Sequence, residues 1–199
     1  MSATLILAST SASRRMMLET AGIAFTVVAP NVDEELMKDM LTGNGSEPAK
    51  IAGALAQAKA VAVSERHPDA LVLGADQILV SEGRVFSKAI DENEARATLL
   101  ALRGRQHELI SAAVMAKDGA AIWRQTESAS LRMRDFSHQF LDEYLTAEIP
   151  EILGSVGCYR IEGRGAQLFS EVTGDQFVIR GLPLIAVLSA LREQGALLP

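Results

Sequence analysis

The sequence has little cysteine, few aromatic residues and no excess of positive charge. Its single cysteine, Cys158, cannot form an internal disulfide or a cysteine-based zinc site. The chain has 19 Lys and Arg residues against 25 Asp and Glu residues, and this net charge of −6 argues against duplex nucleic acid or an anionic membrane as a partner. Aromatic residues make up only 5%, too few to stack the bases of a nucleic-acid strand. We therefore expect a reduced, cytoplasmic protein that binds no long nucleic acid.

Long hydrophobic runs and two common catalytic motifs are also missing. The apolar stretches at 51–63 and 182–191 are interrupted by polar residues, glycine or proline, and neither reaches the ~20 residues that cross a bilayer. Residues 1–15 contain a short apolar run with no basic stretch before it, which is not the pattern of a signal peptide. The P-loop motif and the G-x-S-x-G nucleophile elbow do not occur. The sequence thus predicts no membrane partner.

Strand and helix patterns alternate along most of the chain. Apolar runs bounded by polar turns predict strands at Thr4–Ala8, Phe25–Ala29 and Leu71–Val80, and a hairpin around Lys117-Asp118-Gly119 that begins at His107. Helical spacing and caps predict helices at 16–22, Pro48–His67, Asp91–Leu102, Ser137–Ala147 and from Pro183 to about Gln194. The stretch Thr42–Pro48 has the composition of a loop. This order predicts a single α/β domain over residues 1–199, with a mixed sheet.

The first candidate site follows the first predicted strand, in the segment Ser9-Thr10-Ser11-Ala12-Ser13-Arg14-Arg15. A helix that starts after a strand presents free N–H groups and the positive end of its dipole, which together bind anions. The hydroxyls and the two arginines would complete a phosphate site. The alternative is that Ser11 or Ser13 only caps the helix and that both arginines are solvated.

The second candidate is Asp76-Gln77, inside the otherwise apolar run LVLGADQILV. A buried carboxylate is costly unless it is paired, holds a metal or takes part in chemistry. Gly74 would let a ligand approach the backbone. Asp76 could instead mark a strand end that meets solvent, and Asp33-Glu34-Glu35 could be metal ligands or an exposed loop cluster.

Cations scattered along the chain could join these residues around a polyphosphate. Taken singly, each is more often a surface or snorkelling side chain. They are Lys59, Lys88, Arg103 and Arg105.

Eight segments in this order resemble the Maf family, the septum-formation-inhibitor-like nucleoside triphosphate pyrophosphatases. They are LILASTSASRRMMLETAGIAF, NVDE, QAKA, LVLGADQILV, SKA, LRGRQH, GSVGCYRIEGRGAQLF and IRGLPL. The resemblance implies a mixed sheet flanked by helices, two lobes around a cleft and a fold similar to inosine triphosphate pyrophosphatases. It also implies hydrolysis of a nucleoside triphosphate to the monophosphate and pyrophosphate with Mg²⁺ or Mn²⁺, as a house-cleaning enzyme linked to septum formation.

The resemblance also implies roles for single residues. Asp76 matches the proposed proton acceptor, which could equally bind the metal, and Glu34 matches the family's acidic loop residue, a further metal ligand. The phosphate-binding positions of the family correspond to Ser9, Arg14, Arg15, Lys59 and Lys88.

Three further positions are associated with base choice in the family, and here they are Ser13, Gln77 and Glu162. The Asp-Gln pair and Glu162 match the residues found in the branch that prefers 7-methyl-GTP. A carboxylate suits guanine, because it can accept from N1–H and the exocyclic amine. Ser13 stands where that branch has a large aromatic residue. The alternatives are an enzyme for dTTP and UTP, one of broad specificity, or a nucleotide-sensing septum-formation inhibitor with little turnover. A homodimer is a further expectation.

Overall fold

The chain folds into a mixed β-sheet with helices on both faces. The computed structural model describes residues 4–198. Its strands are β1 (Leu5–Ala8), β2 (Thr26–Val27), β3 (Leu71–Ser81), β4 (Arg84–Phe86), β5 (Gln106–Lys117), β6 (Ala120–Met133) and β7 (Phe169–Thr173). Its α-helices are α1 (Ala12–Thr20), α2 (Glu34–Gly43), α3 (Pro48–Ser64), α4 (Glu92–Leu102), α5 (His138–Glu148), α6 (Gln176–Ile179) and α7 (Leu184–Glu193). Two 3₁₀ segments cover Glu151–Gly154 and Arg164–Leu168.

The strand order is β2-β1-β3-β5-β6-β7, and β4 pairs with the far end of β3. Strand β1 runs parallel to β2 and β3, whereas β3 is antiparallel to β4 and β5. Ala8, the last residue of β1, lies opposite Gly74 in β3. The residue after β1 and the middle of β3 therefore reach the same edge of the parallel part of the sheet, where ligands bind in open α/β sheets.

Both faces of the central strands are buried because helices cover them. On one face, Ile51 and Leu55 of α3 belong to a cluster with Ile78 and Ile110 of the sheet. On the other face, residues of α1 and α7 pack with Leu73 and Met115. A third cluster joins α4 and α5 to the far half of the sheet. The predicted mixed sheet flanked by helices is confirmed.

Most predicted elements are present, but several of their bounds change. The predicted strand Phe25–Ala29 is reduced to β2, and the helix predicted to reach His67 ends at Ser64. Helix α2 was not predicted. It begins after Asp33, whose Oδ1 accepts from Leu36 N at 3.1 Å, and it ends within the segment that was expected to be a loop. Elements β7, α6 and the 3₁₀ segments were also missed, whereas β4 matches the strand-like run Val85-Phe86-Ser87.

No helix within residues 4–198 is long and apolar enough to cross a membrane. The expectation about the first 15 residues rests partly on Met1–Ala3, which lie outside the described residues, and so does Pro199 at the end of the predicted domain.

Candidate active site

A cleft of about 880 Å³ opens beside the carboxyl end of β1 and the middle of β3. One wall is formed by the segment after β1 and the first turns of α1 and α2, and the other by residues from the segments 151–162 and 179–181. The charged residues of the lining are balanced, six basic against six acidic. The basic set is Arg14, Lys38, Lys59, Lys88, Arg160 and Arg180, and the acidic set is Asp33, Glu34, Glu35, Asp76, Glu151 and Glu162.

Arg14 is a buried cation held by neutral partners. Its Nη1 donates to Ser9 Oγ at 3.2 Å, and its Nε donates to the carbonyl of Gly181 at 2.8 Å. Ser11 caps α1, because its Oγ accepts from the Arg14 backbone N–H at 3.4 Å. Within residues 4–198 no carboxylate pairs with this guanidinium, and burial lowers its pKa. Ser9 and Arg14 thus form a fixed cationic site at the end of β1, able to receive an anion.

Arg15 takes a different direction. Its side chain is 57% exposed, and its Nε lies 3.7 Å from Glu19 Oε1 one turn along α1. It is not among the residues that line the cleft. Adjacent helical residues point about 100° apart, so the side chains of Arg14 and Arg15 leave α1 in different directions. The structure brings Arg14 into the cleft and leaves Arg15 on the surface.

Asp76, Lys59 and Glu34 form a compact charged cluster at the bottom of the cleft. Lys59 Nζ on α3 lies 2.7 Å from Asp76 Oδ1 and 2.6 Å from Glu34 Oε2. Lys59 and Asp76 are buried, whereas the side chain of Glu34 is 42% exposed. Two carboxylates from different elements therefore share one ammonium group, which satisfies the demand that buried charges be paired.

Gly74 brings this cluster together. A Cβ atom at this position would lie 2.4 Å from the carbonyl oxygen of Ala56 and 2.7 Å from the nitrogen of Ala60 in α3. The absence of a side chain allows α3 to pack directly on β3, and Lys59, on the same helical turn, then reaches Asp76. The expectation that a ligand approaches Gly74 is wrong, because helix α3 occupies that approach.

Lys88 follows β4 and is a second cation without a carboxylate partner in the described part of the chain. Partial burial, and then the positive charge of Arg14, lower its pKa; Glu34 opposes this shift, and Lys59 adds to it. The neighbouring Ser87 is tied to α2, because Lys38 Nζ donates to Ser87 Oγ at 2.7 Å and to Glu35 Oε1 at 2.8 Å. Lys38 was not predicted, since a lysine on a helix of mixed composition carries no distinguishing signal.

Arg103 and Arg105, two of the scattered cations, do not reach the cleft. Arg103 lies 3.4 Å from Asp135, and Arg105 pairs with Glu82 on the surface. Of the scattered basic residues, only Lys59 and Lys88 line the cavity.

The acidic residues fit a partial site for a divalent cation. Carboxylate oxygens are the ligands that Mg²⁺ prefers, and Mg²⁺ usually takes one or two protein carboxylates together with substrate phosphates and water. Glu34 and Asp76 provide two such carboxylates within reach of one point, since both contact Lys59 Nζ. Residues 4–198 contain no cluster of three or more His, Cys, Asp or Glu that could hold a metal alone. This donor set suits an ion that arrives with phosphates.

Two of the three predicted base-selective residues contact the backbone before α7. Gln77 Nε2 lies 2.9 Å from the carbonyl of Val178 and 3.1 Å from that of Ile179. Ser13 Oγ donates to the carbonyl of Arg180 at 3.0 Å. The third residue, Glu162, lies on the same wall as Arg180 and forms an ion pair with it, with Oε1 3.6 Å from Arg180 Nε.

Sequence reasoning also missed Arg180 as a cleft residue. It lies in the quoted segment IRGLPL, just before Gly181, whose positive φ of 98° turns the chain toward α7. That positive φ is a backbone feature, and neither periodicity nor charge pattern reveals that the preceding arginine faces a cavity.

The chain is similar to known proteins over nearly its whole length. Residues 4–194 match the family model described as Maf-like protein. A nucleoside triphosphate pyrophosphatase of Paramagnetospirillum magneticum is 51% identical over 98% of this chain and 100% of its own length. A 7-methyl-GTP pyrophosphatase of Mesorhizobium japonicum is 46% identical over 97% of each chain. Among solved structures, the Ham1 protein of Staphylococcus aureus has a TM-score of 0.43 and 13% identity, covering 96% of this chain and 99% of that one.

Proposed function

The chain belongs to the Maf family, and on that premise we propose that it is a nucleoside triphosphate pyrophosphatase that hydrolyses the α–β phosphoanhydride to release pyrophosphate. The observation that carries the proposal is the juxtaposition of unlike charges in one cleft. The carboxylates of Asp76 and Glu34 are both paired with Lys59. Near them lie two cations, Arg14 and Lys88, that pair with no carboxylate in the described part of the chain. A triphosphate supplies the missing negative charge.

The triphosphate binds along the cationic side of the cleft. Arg14 and Ser9 hold one phosphate at the helix start, and Lys88 neutralises another. Charge moves toward the leaving pyrophosphate in the transition state, and fixed cations at that position lower the barrier. Arg15 remains a predicted phosphate ligand from sequence alone, and its exposed side chain would have to turn toward the cleft to reach one.

Asp76 acts on the attacking water. Its Oδ1 accepts from Lys59, so that Oδ2 remains available, and no residue within 4–198 hydrogen-bonds to it. The carboxylate orients a water molecule against the α-phosphorus and takes its proton as the new P–O bond forms. The bond from the α-phosphorus to the bridging oxygen breaks, and that oxygen leaves with pyrophosphate.

Glu34 and Asp76 would hold a divalent cation, Mg²⁺ or Mn²⁺, that arrives with the phosphates. Bound there, it would polarise phosphoryl oxygens as a Lewis acid. Lys59 keeps the two carboxylates at the same place in the absence of the ion, so the site is pre-organised for it.

The test is the loss of turnover in Asp76→Asn. We expect the variant to fold and to lose at least about 100-fold in pyrophosphate release, the usual contribution of a positioned general base. Asp142→Asn is the matched control, because Asp142 is an exposed aspartate paired with Arg96 outside the cleft.

The outcomes separate the alternatives. Full activity of Asp76→Asn would remove the aspartate from the mechanism. Tight nucleotide binding by a wild-type protein that releases no pyrophosphate would favour a nucleotide-sensing role. A substrate panel of 7-methyl-GTP, GTP, dTTP, UTP and CTP distinguishes a guanine enzyme from a pyrimidine or broad-specificity one.

A further inference from the structure

Arg180 lines the cleft with an incompletely satisfied guanidinium. Its Nε is buried and has no hydrogen-bond partner among residues 4–198, and the nearest carboxylate oxygen, Glu162 Oε1, lies 3.6 Å away. The side chain is 20% exposed, so that part of the guanidinium can reach a ligand. A buried N–H without a partner is costly, so this chain's own contacts leave the guanidinium incompletely satisfied, while its exposed part lines the cleft and is open to a ligand.

The backbone around Arg180 is fixed by side chains from three other elements. The four successive carbonyls from Val178 to Gly181 all accept hydrogen bonds. Gln77 and Ser111 donate to Val178, Gln77 also to Ile179, Ser13 to Arg180, and Arg14 to Gly181. A segment held at every carbonyl fixes the backbone position from which the Arg180 side chain extends, as a binding site requires.

This arrangement assigns the two predicted base-selective residues a positioning role. The amide of Gln77 directs its N–H groups at Ser111 and at the 178–179 carbonyls rather than into the cavity. The hydroxyl of Ser13 is likewise used by the carbonyl of Arg180. Both side chains therefore act on the base through the segment that carries Arg180.

We propose that Arg180 is a specificity-determining residue that, together with Glu162, selects guanine; this rests on the proposed pyrophosphatase function. Glu162 accepts from N1–H and the exocyclic amine, and Arg180 donates to O6. The Watson–Crick edge of guanine carries two adjacent donors and one acceptor, which this pair complements. Adenine offers one donor beside an acceptor and uracil one donor between two acceptors, so neither satisfies the pair.

The pair leaves N7 of the base without a contact. A methyl group on N7 does not change the donors and acceptors that Glu162 and Arg180 use, so both GTP and 7-methyl-GTP belong to the selected class.

The test compares nucleotides in Arg180→Met, with Arg124→Met as the matched control because Arg124 bonds to Gln57 on the surface. The measurement is kcat/KM for pyrophosphate release from GTP, ITP and ATP. We expect Arg180→Met to lose roughly tenfold or more with GTP and ITP, which both carry O6, and to change by less than twofold with ATP. Arg180→Lys, which keeps a donor, should recover part of the loss.

Three results would overturn the inference. One is an unchanged kcat/KM with GTP in Arg180→Met, and another is an equal loss with GTP, ITP and ATP, which would make Arg180 a phosphate ligand. If Arg180→Met does not fold, 6-thio-GTP tests the contact in the wild type, since sulphur is a weak hydrogen-bond acceptor. The third contradicting result is equal turnover of 6-thio-GTP and GTP by the wild type. Failure of the wild type to release pyrophosphate from any nucleotide would instead refute the proposed function.

Discussion

At the residue scale, the cleft contains two kinds of charge. Lys59 is fully engaged by Asp76 and Glu34, whereas Arg14 and Lys88 face the cavity without a carboxylate. The sequence can indicate Asp76, because a carboxylate inside an apolar run is conspicuous. It cannot reveal which lysine pairs with it, since the partner is 17 positions away on another element. Whether these residues act as proposed stays a prediction.

His107 offers a residue-scale prediction about stability. It is buried, its Nε2 lies 2.7 Å from the hydroxyl of Tyr159 in the cleft wall, and burial lowers its pKa from 6.5 to about 4. Between these pH values the unfolded chain binds a proton at His107 that the folded chain does not. The free energy of unfolding therefore falls as the pH decreases from 6.5 to 4, by up to about 3 kcal/mol, and the contribution is fully present above pH 6.5.

The measurement is denaturant unfolding of the wild type and of His107→Gln at several pH values. The difference between the two proteins cancels the other titrating groups. We expect the wild type to lose stability relative to the variant as the pH falls through this window. A difference that stays constant from pH 7 to pH 4 would contradict the assignment.

At the element scale, the packing of α3 on β3 positions the charged cluster of Asp76, Lys59 and Glu34. Patterns of local origin, such as the long Ala-rich run of α3 and the apolar run of β3, were predictable because burial imposes them on the sequence. Helix α2 and strand β7 were not, for different reasons. The acidic start of α2 resembles an exposed loop, and β7 has mostly exposed residues and is a strand because it pairs with the end of β6.

Gly74→Ala tests the element-scale account. The new Cβ would lie 2.4 Å from a backbone oxygen of α3, so the helix must move away. We expect a loss of about 1–3 kcal/mol in the free energy of unfolding, as for other overpacked cores, and reduced turnover because Lys59 moves from Asp76. Calorimetry and the pyrophosphate assay measure both effects.

Gly53→Ala in the same helix is the control. No atom lies within 4 Å of the Cβ position there, so the change should stabilise the protein by about 0.5–1 kcal/mol through helix propensity. If Gly74→Ala were as stable and as active as Gly53→Ala, the close approach would not be what brings the cluster together.

At the scale of the whole molecule, the net charge of −6 conceals a balanced cleft. The acidic excess lies elsewhere, so the total charge excludes neither a small anion nor an ion that accompanies it. The mixed sheet could be predicted from the alternation of elements, but the cleft could not, because its walls come from segments as distant as 9–16 and 179–181. The single domain and the homodimer stay predictions.

Hydrolysis in ¹⁸O-labelled water tests the central claim most directly, because it identifies the phosphorus atom that the water attacks. With GTP, 7-methyl-GTP or ATP as substrate, the products can be separated and the ¹⁸O content of each measured by mass spectrometry. The proposed site, with Asp76 directing water at the α-phosphorus, predicts one labelled oxygen in the nucleoside monophosphate and none in the pyrophosphate. Label in pyrophosphate, or in released orthophosphate, would contradict it.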